Sequence, residues 1–402
     1  MAQVRPFCGV RARPELAAEV VAPPYDVLDE AEARAIVARL PRSFLRVTRP
    51  EVNLAQGVDA HGAEAYAAAR EALLGMLDDG TLEQDDTPCF YLYGQRMGTH
   101  VQTGLLAVCS TDEYDAGIIK KHEYTRPDKE QDRVDHILGT GAQTGLVFLA
   151  YRQTEQLARL LSRPSEAPLY AVTTDDEVEH LLWRISDPDA VDAISAAFDT
   201  LDALYIADGH HRSAAASRVA AELGDGPPRW FLCGIFPDDQ LQVLAYNRLV
   251  ADLNGHGAEA FVAAVSEHFE VSETAGGVPA QRGDVHMFLD DRWLRLRRRD
   301  STASADPVAD LDVAVLQETV LAPLLGIRDP RRDTRIRFVG GIRGPDALER
   351  AVRDGHAAVA FHLYPTSLAE LFAVADSGQV MPPKSTWFEP KLRGGVVVHK
   401  LR

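Results

Sequence analysis

Apolar positions along the chain alternate between helical spacing and short continuous runs, so helices and strands are expected to be interleaved throughout. Residues 20–27 contain Pro23 and Pro24, which exclude helix, and read as extended; the acidic stretch 28–40 after them reads as a helix. Residues 60–76 are alanine-rich with apolar positions at helical spacing and run out near Gly80. Residues 89–93 and 103–110 read as strands of a hairpin joined through 94–98. Farther on, 202–207 is a buried strand, 213–223 an alanine-rich helix, 313–325 a helix, and 336–339 and 358–363 strands, before a proline-interrupted extended end. No solenoid repeat is present. The fold class expected is mixed α and β (α+β).

At roughly 100–200 residues per domain, 402 residues suggest two or three units. Arg163-Pro164-Ser165 reads as a hinge and 300–310, mostly Ser, Thr, Ala, Asp and Pro, as a linker or surface loop. The expected units are 1–165, 166–300 and 301–402.

Composition narrows the class. The net charge is −18, which argues against a general nucleic-acid or anionic-membrane binder; any anion site must be local. No apolar run approaches the roughly 18 residues that span a bilayer, and the N-terminus lacks an apolar signal core, so a cytoplasmic protein is expected. Cys8, Cys89, Cys109 and Cys233 lie far apart in sequence without a CxxC pair, as suits isolated buried thiols. Of 42 basic residues only six are lysine, at 120, 121, 129, 384, 391 and 400. In a chain that uses arginine wherever either serves, these mark places where a compact ammonium is wanted.

Three stretches carry chemistry. In Tyr205-Ile206-Ala207-Asp208-Gly209-His210-His211-Arg212 an apolar strand runs through a glycine turn into a helix, whose free first-turn N–H groups and dipole attract phosphate. Gly209 permits close approach, His210, His211 and Arg212 can donate to phosphate oxygens, and Asp208 can hold a cation or simply cap the helix. In the second stretch, 120–136, Pro127 suits a helix start, and Lys129, Arg133 and His136 fall on one face. Glu123 just ahead can act as a general base; a solvated, self-neutralising helix is the plainer reading. The third, Met381-Pro382-Pro383-Lys384-Ser385-Thr386, holds polar groups on a proline-stiffened chain where Lys384, Ser385 and Thr386 can meet phosphate or a carboxylate. It lacks the glycines of a Walker loop. Tyr25 and Asp26 can line a pocket.

Val21-Ala22-Pro23-Pro24-Tyr25-Asp26, residues 44–51, His122-Glu123-Tyr124-Thr125 with Lys129, Asp132 and Arg133, the Asp208–Arg212 box, and Met381–Thr386 with Phe388-Glu389-Pro390-Lys391 resemble, in this order, the bacterial and archaeal domain-of-unknown-function family 1015. The box with its strand and helix also resembles the nucleotide-binding turn of the ParB/sulfiredoxin-like fold, a group that includes a kinase acting on free serine. These resemblances imply a ParB/sulfiredoxin-like core elaborated with further α/β units. They also imply a nucleotide-dependent kinase with ATP (or ADP) and Mg²⁺ that converts a small hydroxylated amino acid, L-serine first, to its phosphoester. In that reading Glu123, Asp208 and His210 are catalytic. Gly209, His210, His211, Arg212, Lys129, Arg133 and Lys384 hold nucleotide or phosphate. Tyr25, Asp26, His122, Thr125, Ser385 and Thr386 meet the substrate, and Asp208 meets Mg²⁺. The partners expected are nucleotide and small-molecule substrate, with neither nucleic acid nor membrane, in a monomer or homodimer. The alternatives are a ParB-like nucleotide-binding regulator and a phosphoester hydrolase.

Overall fold

The computed structural model describes residues 2–299 and 305–402, so part of the expected 300–310 linker lies outside the described residues. It is a mixed α and β protein, as its pattern predicts. The chain divides into two compact units, the first made of Met1–Leu241 with Pro390–Arg402 and the second of Gln242–Glu389.

The first unit is built on a nine-stranded mixed sheet. Its main path runs Ile119–Lys120, Leu204–Asp208, Val147–Tyr151, Trp230–Pro237, His100–Ser110, Phe90–Met97, Val178–Ile185, Tyr170–Thr173, with Val4–Arg5 alongside His100–Ser110. The first pair and the Val147/Trp230 pair are parallel; the rest are antiparallel. Its core is a continuous set of buried aliphatic and aromatic residues including Phe90, Leu105, Leu149, Tyr151, Phe198, Ile206 and Phe231. The helices Pro127–Thr140 and His210–Leu223 pack together over a smaller cluster, where Val134 and Ile137 meet Ala215, Val219 and Leu401. That last residue belongs to the returning tail.

Local expectations hold for most elements. The acidic helix is Glu30–Arg39 with a full capping box on Asp29, the alanine-rich one is Ala63–Asp78, and Pro127 opens its helix. Three expectations are corrected. Gly94 is not a turn residue: Phe90–Met97 runs straight through it, with Trp183 packed where a side chain would stand, and the reversal comes at Gly98-Thr99. The boundary at 165/166 is not one, because Val178–Ile185 after it pairs along its whole length with Phe90–Met97 before it. The cysteines are not all isolated: Cys109 and Cys233, on neighbouring strands, bring their Sγ atoms to 3.2 Å, unbridged.

The second unit is a six-stranded antiparallel sheet, in the order Phe269–Thr274, Arg292–Arg298, Asp284–Leu289, Val359–Leu363, Tyr246–Val250, Ile336–Gly340. The helix Gly344–Arg353 sets Leu348 against Leu249, Phe288, Trp293 and Ala360. Its first and last strands, Gln242–Leu244 and Trp387–Glu389, pair with each other, so the excursion begins and ends at one place. Among the described residues no helix is long and apolar enough to cross a membrane.

Candidate functional site

The Leu204–Asp208 strand lies antiparallel to Val147–Tyr151, and its register slips at the end: Ile206 faces Leu149 but Asp208 faces Phe148, which leaves Ala207 as a bulge. A bulge bends a strand and re-aims the residue after it. Here that residue is Asp208. Gly209 follows at φ +99°, a conformation open to glycine, and its carbonyl accepts from the Arg212 and Ser213 amides at 2.9 and 3.0 Å, so the helix starts one residue beyond the strand.

Asp208 is the centre of a compact charge cluster. Its Oδ2 lies 3.4 Å from Lys391 Nζ and 3.7 Å from Arg212 Nη2. Burial pushes the carboxyl up, but Lys391 first and then Arg212 outweigh it and hold the group well below the usual carboxylate range. Arg212 is 13% exposed and donates to the Leu146 carbonyl. Two glycines make room for it: a Cβ on Gly209 would stand 3.1 Å from its guanidinium carbon, and one on Gly145 3.3 Å from its Cδ.

The paired histidines stitch this helix to 122–126. His210 Nε2 accepts the His122 amide at 3.4 Å with the two rings edge-to-face, and His211 Nε2 accepts the Arg126 amide at 3.0 Å. Each ring therefore carries its proton on Nδ1. Burial holds His122 down to about 4 and His210 well below its ordinary value, so both are neutral at pH 7. His122 Nδ1 is buried with no hydrogen-bond partner among the described residues. Glu123, half-buried, follows it directly. Thr125 donates its hydroxyl to Glu130 at 2.7 Å and so braces the helix start.

On the Pro127–Thr140 helix the predicted face is split. Arg133 is 11% exposed, bonds Asp132 at 2.5 and 2.9 Å, and lies 4.1 Å over the Tyr25 ring; His136 donates to the Val47 carbonyl at 2.9 Å; Lys129 is exposed. Tyr25, Arg133, His136, Gln143, Thr144 and Arg212 are among the walls of a cavity of about 30 Å³, room for one or two waters. Asp26 is exposed beside it in sequence.

Lys384, Ser385 and Thr386 belong to the second unit. Lys384 sits at φ +60°, its carbonyl accepts from Arg248 at 3.2 Å, and its Nζ is 5.6 Å from the centre of the Tyr246 ring. Ser385 is buried and gives its hydroxyl to the Pro382 carbonyl at 2.6 Å, while its own carbonyl accepts from Thr366. Among the described residues no group of three or more His, Cys, Asp or Glu converges that could hold a metal ion.

Two components escaped the sequence reading. Lys391 contacts Asp208 directly, and its signal was the scarcity of lysine. The Gln143–Gly145 loop borders Arg212; the run Gly139-Thr140-Gly141-Ala142-Gln143-Thr144-Gly145, dense in glycine and hydroxyl groups, could have drawn attention to it.

A family model described as "Protein of unknown function (DUF1015)" matches residues 4–314, which takes in Tyr25, the 122–136 stretch and the Asp208–Arg212 box. The chain belongs to the DUF1015 family. Lys391 lies beyond the residues matched by the DUF1015 model. No curated protein matches the chain. Among solved structures, the C-terminally truncated SbnI of Staphylococcus aureus is similar at 12% identity, with 72% of this chain and 84% of that one covered and a TM-score of 0.40. A free serine kinase variant in complex with AMP gives 14%, 71%, 87% and 0.37 in the same order. A conserved hypothetical protein from Pyrococcus furiosus gives 13%, 71%, 90% and 0.33. Likeness at these scores carries neither fold nor activity over to this DUF1015 chain.

Proposed function

We propose that the first unit binds a nucleotide by its phosphates at the Asp208–Arg212 turn and transfers a phosphoryl group to a small hydroxylated amino acid, L-serine first. The reading is carried by one observation: a bulged strand delivers Asp208 and a left-handed Gly209 into a helix start flanked by Lys391 and Arg212. Phosphoryl transfer asks for positioning and charge compensation more than for covalent catalysis, and this junction supplies both. With ATP, the bond from the γ-phosphorus to the ADP oxygen breaks, a bond from phosphorus to the serine Oγ forms, and the hydroxyl proton passes to Glu123. Arg212, Lys391 and Arg133 compensate phosphate charge, while His210 and His211 keep the 122–126 segment against the turn. Mg²⁺ commonly takes one or two carboxylates with phosphate oxygens, and Asp208 would supply one. A nucleotide needs several hundred Å³, so its entry must widen the 30 Å³ cavity by moving the Tyr25–Arg133 stack or the Thr144 loop.

Incubating the full chain with ATP or ADP, Mg²⁺ and a panel of hydroxy and amino acids, followed by ³¹P NMR, is expected to yield O-phosphoserine. If no panel member gains phosphate, the reading fails. Glu123→Gln is expected to slow transfer roughly 10²–10⁴-fold; full activity in that variant would remove Glu123 as the base.

A further inference from the structure

The chain leaves the first unit after Leu241 and returns at Pro390, and the returning tail engages the site at once. Lys391 reaches Asp208; Gly394 bridges Ala22, just ahead of Pro23-Pro24-Tyr25; His399 pairs with Gln143, just ahead of Thr144-Gly145. What fixes the start of this tail is a polar relay in the middle of the sheet. Gln95 and Gln102 face each other on adjacent strands, both at 0% exposure. Gln102 Nε2 donates to Gln95 Oε1 at 2.9 Å, Gln95 Nε2 donates to the Lys391 carbonyl at 3.0 Å, and His100 Nε2 donates to Gln102 Oε1 at 3.2 Å. Two residues on, Arg393 is buried and donates to His180 Nε2 at 3.1 Å and Thr174 Oγ1 at 3.2 Å, while His180 Nδ1 bonds the Tyr93 hydroxyl at 2.7 Å.

Two facing apolar side chains would cost less to bury than two amides. What a satisfied buried network adds is a single permitted arrangement. Here that arrangement fixes one backbone carbonyl, that of the residue whose ammonium meets Asp208. Unlike arginine, lysine offers a compact point charge on a flexible stem, able to move from a carboxylate to an incoming phosphate without changing its anchor.

We propose that Lys391 is a phosphate-binding residue of this site and that Gln95 and Gln102 are positioning residues that act through it. The identity of the anion as a nucleotide phosphate rests on the function proposed above. The tail is thus part of the ligand site although it lies outside the span matched by the family.

The test uses the full chain and two probes, ADP and inorganic pyrophosphate, followed by titration calorimetry. Lys391→Met is expected to weaken both roughly 10- to 100-fold, the worth of a lost charged hydrogen bond, and Lys391→Arg to restore less than half of that loss in free energy. The double variant Gln95→Leu with Gln102→Leu, which removes the paired amides but leaves the Lys391 carbonyl without its donor and so should melt somewhat below the wild type, is expected to weaken both probes about 3- to 10-fold at a temperature where it is folded. If the glutamines act through Lys391, adding their substitution to Lys391→Met should weaken the probes no further, whereas a purely structural relay would add its own loss. Folded variants that bind both probes as the wild type does overturn the inference and leave phosphoryl transfer to be judged by its own product. Wild-type binding that is lost in the variants, without any phosphorylated acceptor, upholds the inference and removes the kinase reading. A wild-type chain that binds neither probe overturns both.

Discussion

Replacing Gly209 by valine is expected to weaken ADP binding by more than 100-fold. The position has φ +99°, where a β-branched residue is a clear outlier, and its Cβ would stand 3.1 Å from the Arg212 guanidinium carbon and Nε. Strain and displacement act together. The turn that presents the first helical amides is deformed, and the buried cation beside it is pushed away from Asp208. Losing even two charge-assisted contacts at roughly 1.5–3 kcal/mol each accounts for a fall of that size. Gly224, at the other end of the same helix, is the control. It has φ +82° but no neighbour within 4 Å of an added Cβ. Gly224→Ala should cost about 1–2 kcal/mol in thermal or denaturant unfolding and leave the ADP affinity unchanged. If Gly209→Val bound ADP as Gly224→Ala does, the turn would not be a phosphate site.

Stability should fall steeply as the pH is lowered from about 6.5 to 4, driven by histidine. Burial holds His122 and His136 down to about 4 and His180 down to about 3, and the Arg133 and Arg393 charges add to the effect on the last two. An unfolded histidine titrates near 6.5. Above that pH both states hold these rings neutral. Between 6.5 and 4 the unfolded chain takes up protons that the folded chain refuses, so each ring withdraws roughly 3 kcal/mol by pH 4. The carboxyls that salt bridges hold low, among them Asp85, Asp132 and Asp208, lose their contribution only as the pH falls below about 4, so they do not cause this drop. Glu113, which burial pushes up, works in the opposite sense. Denaturant midpoints measured at half-unit steps should show the slope. His136→Gln keeps a donor for the Val47 carbonyl but cannot titrate, and should flatten the slope by about one proton. A midpoint constant from pH 7 to 5 would contradict the whole account.

How far the sequence carried the structure follows from what sequence patterns encode. The strand, glycine turn and alanine-rich helix around Asp208 were legible because an apolar run, a left-handed glycine and a helical period are all local facts. Pairing is not local. Nothing in 178–185 says that it lies against 90–97, so Arg163-Pro164-Ser165 looked like a boundary, and Gly94 looked like a turn until Trp183 was found filling its space. The histidines show a different limit. Residue type reveals capacity, and His210 and His211 have the capacity to donate to phosphate, but the fold uses their Nε2 atoms to accept two backbone amides. Lys391 was visible as one of six lysines and as the end of the 388–391 motif but not as a site residue, because no spacing rule connects it with a carboxylate 183 positions earlier.

That separation sets an order of birth. At roughly 5–20 residues per second of synthesis, Asp208 is incorporated some ten to forty seconds before its lysine. In the interval the nascent chain has the turn and Arg212 but neither Lys391 nor the tail that braces the Tyr25 and Thr144 segments. Closing so long a loop would ordinarily carry a large entropic cost. The pairing of Gln242–Leu244 with Trp387–Glu389 meets it in advance: once the second unit folds, its two ends are joined, and the tail is released beside the place where the chain departed. The second unit thus delays the tail, and the site is completed only after Pro390–Arg402 has been made.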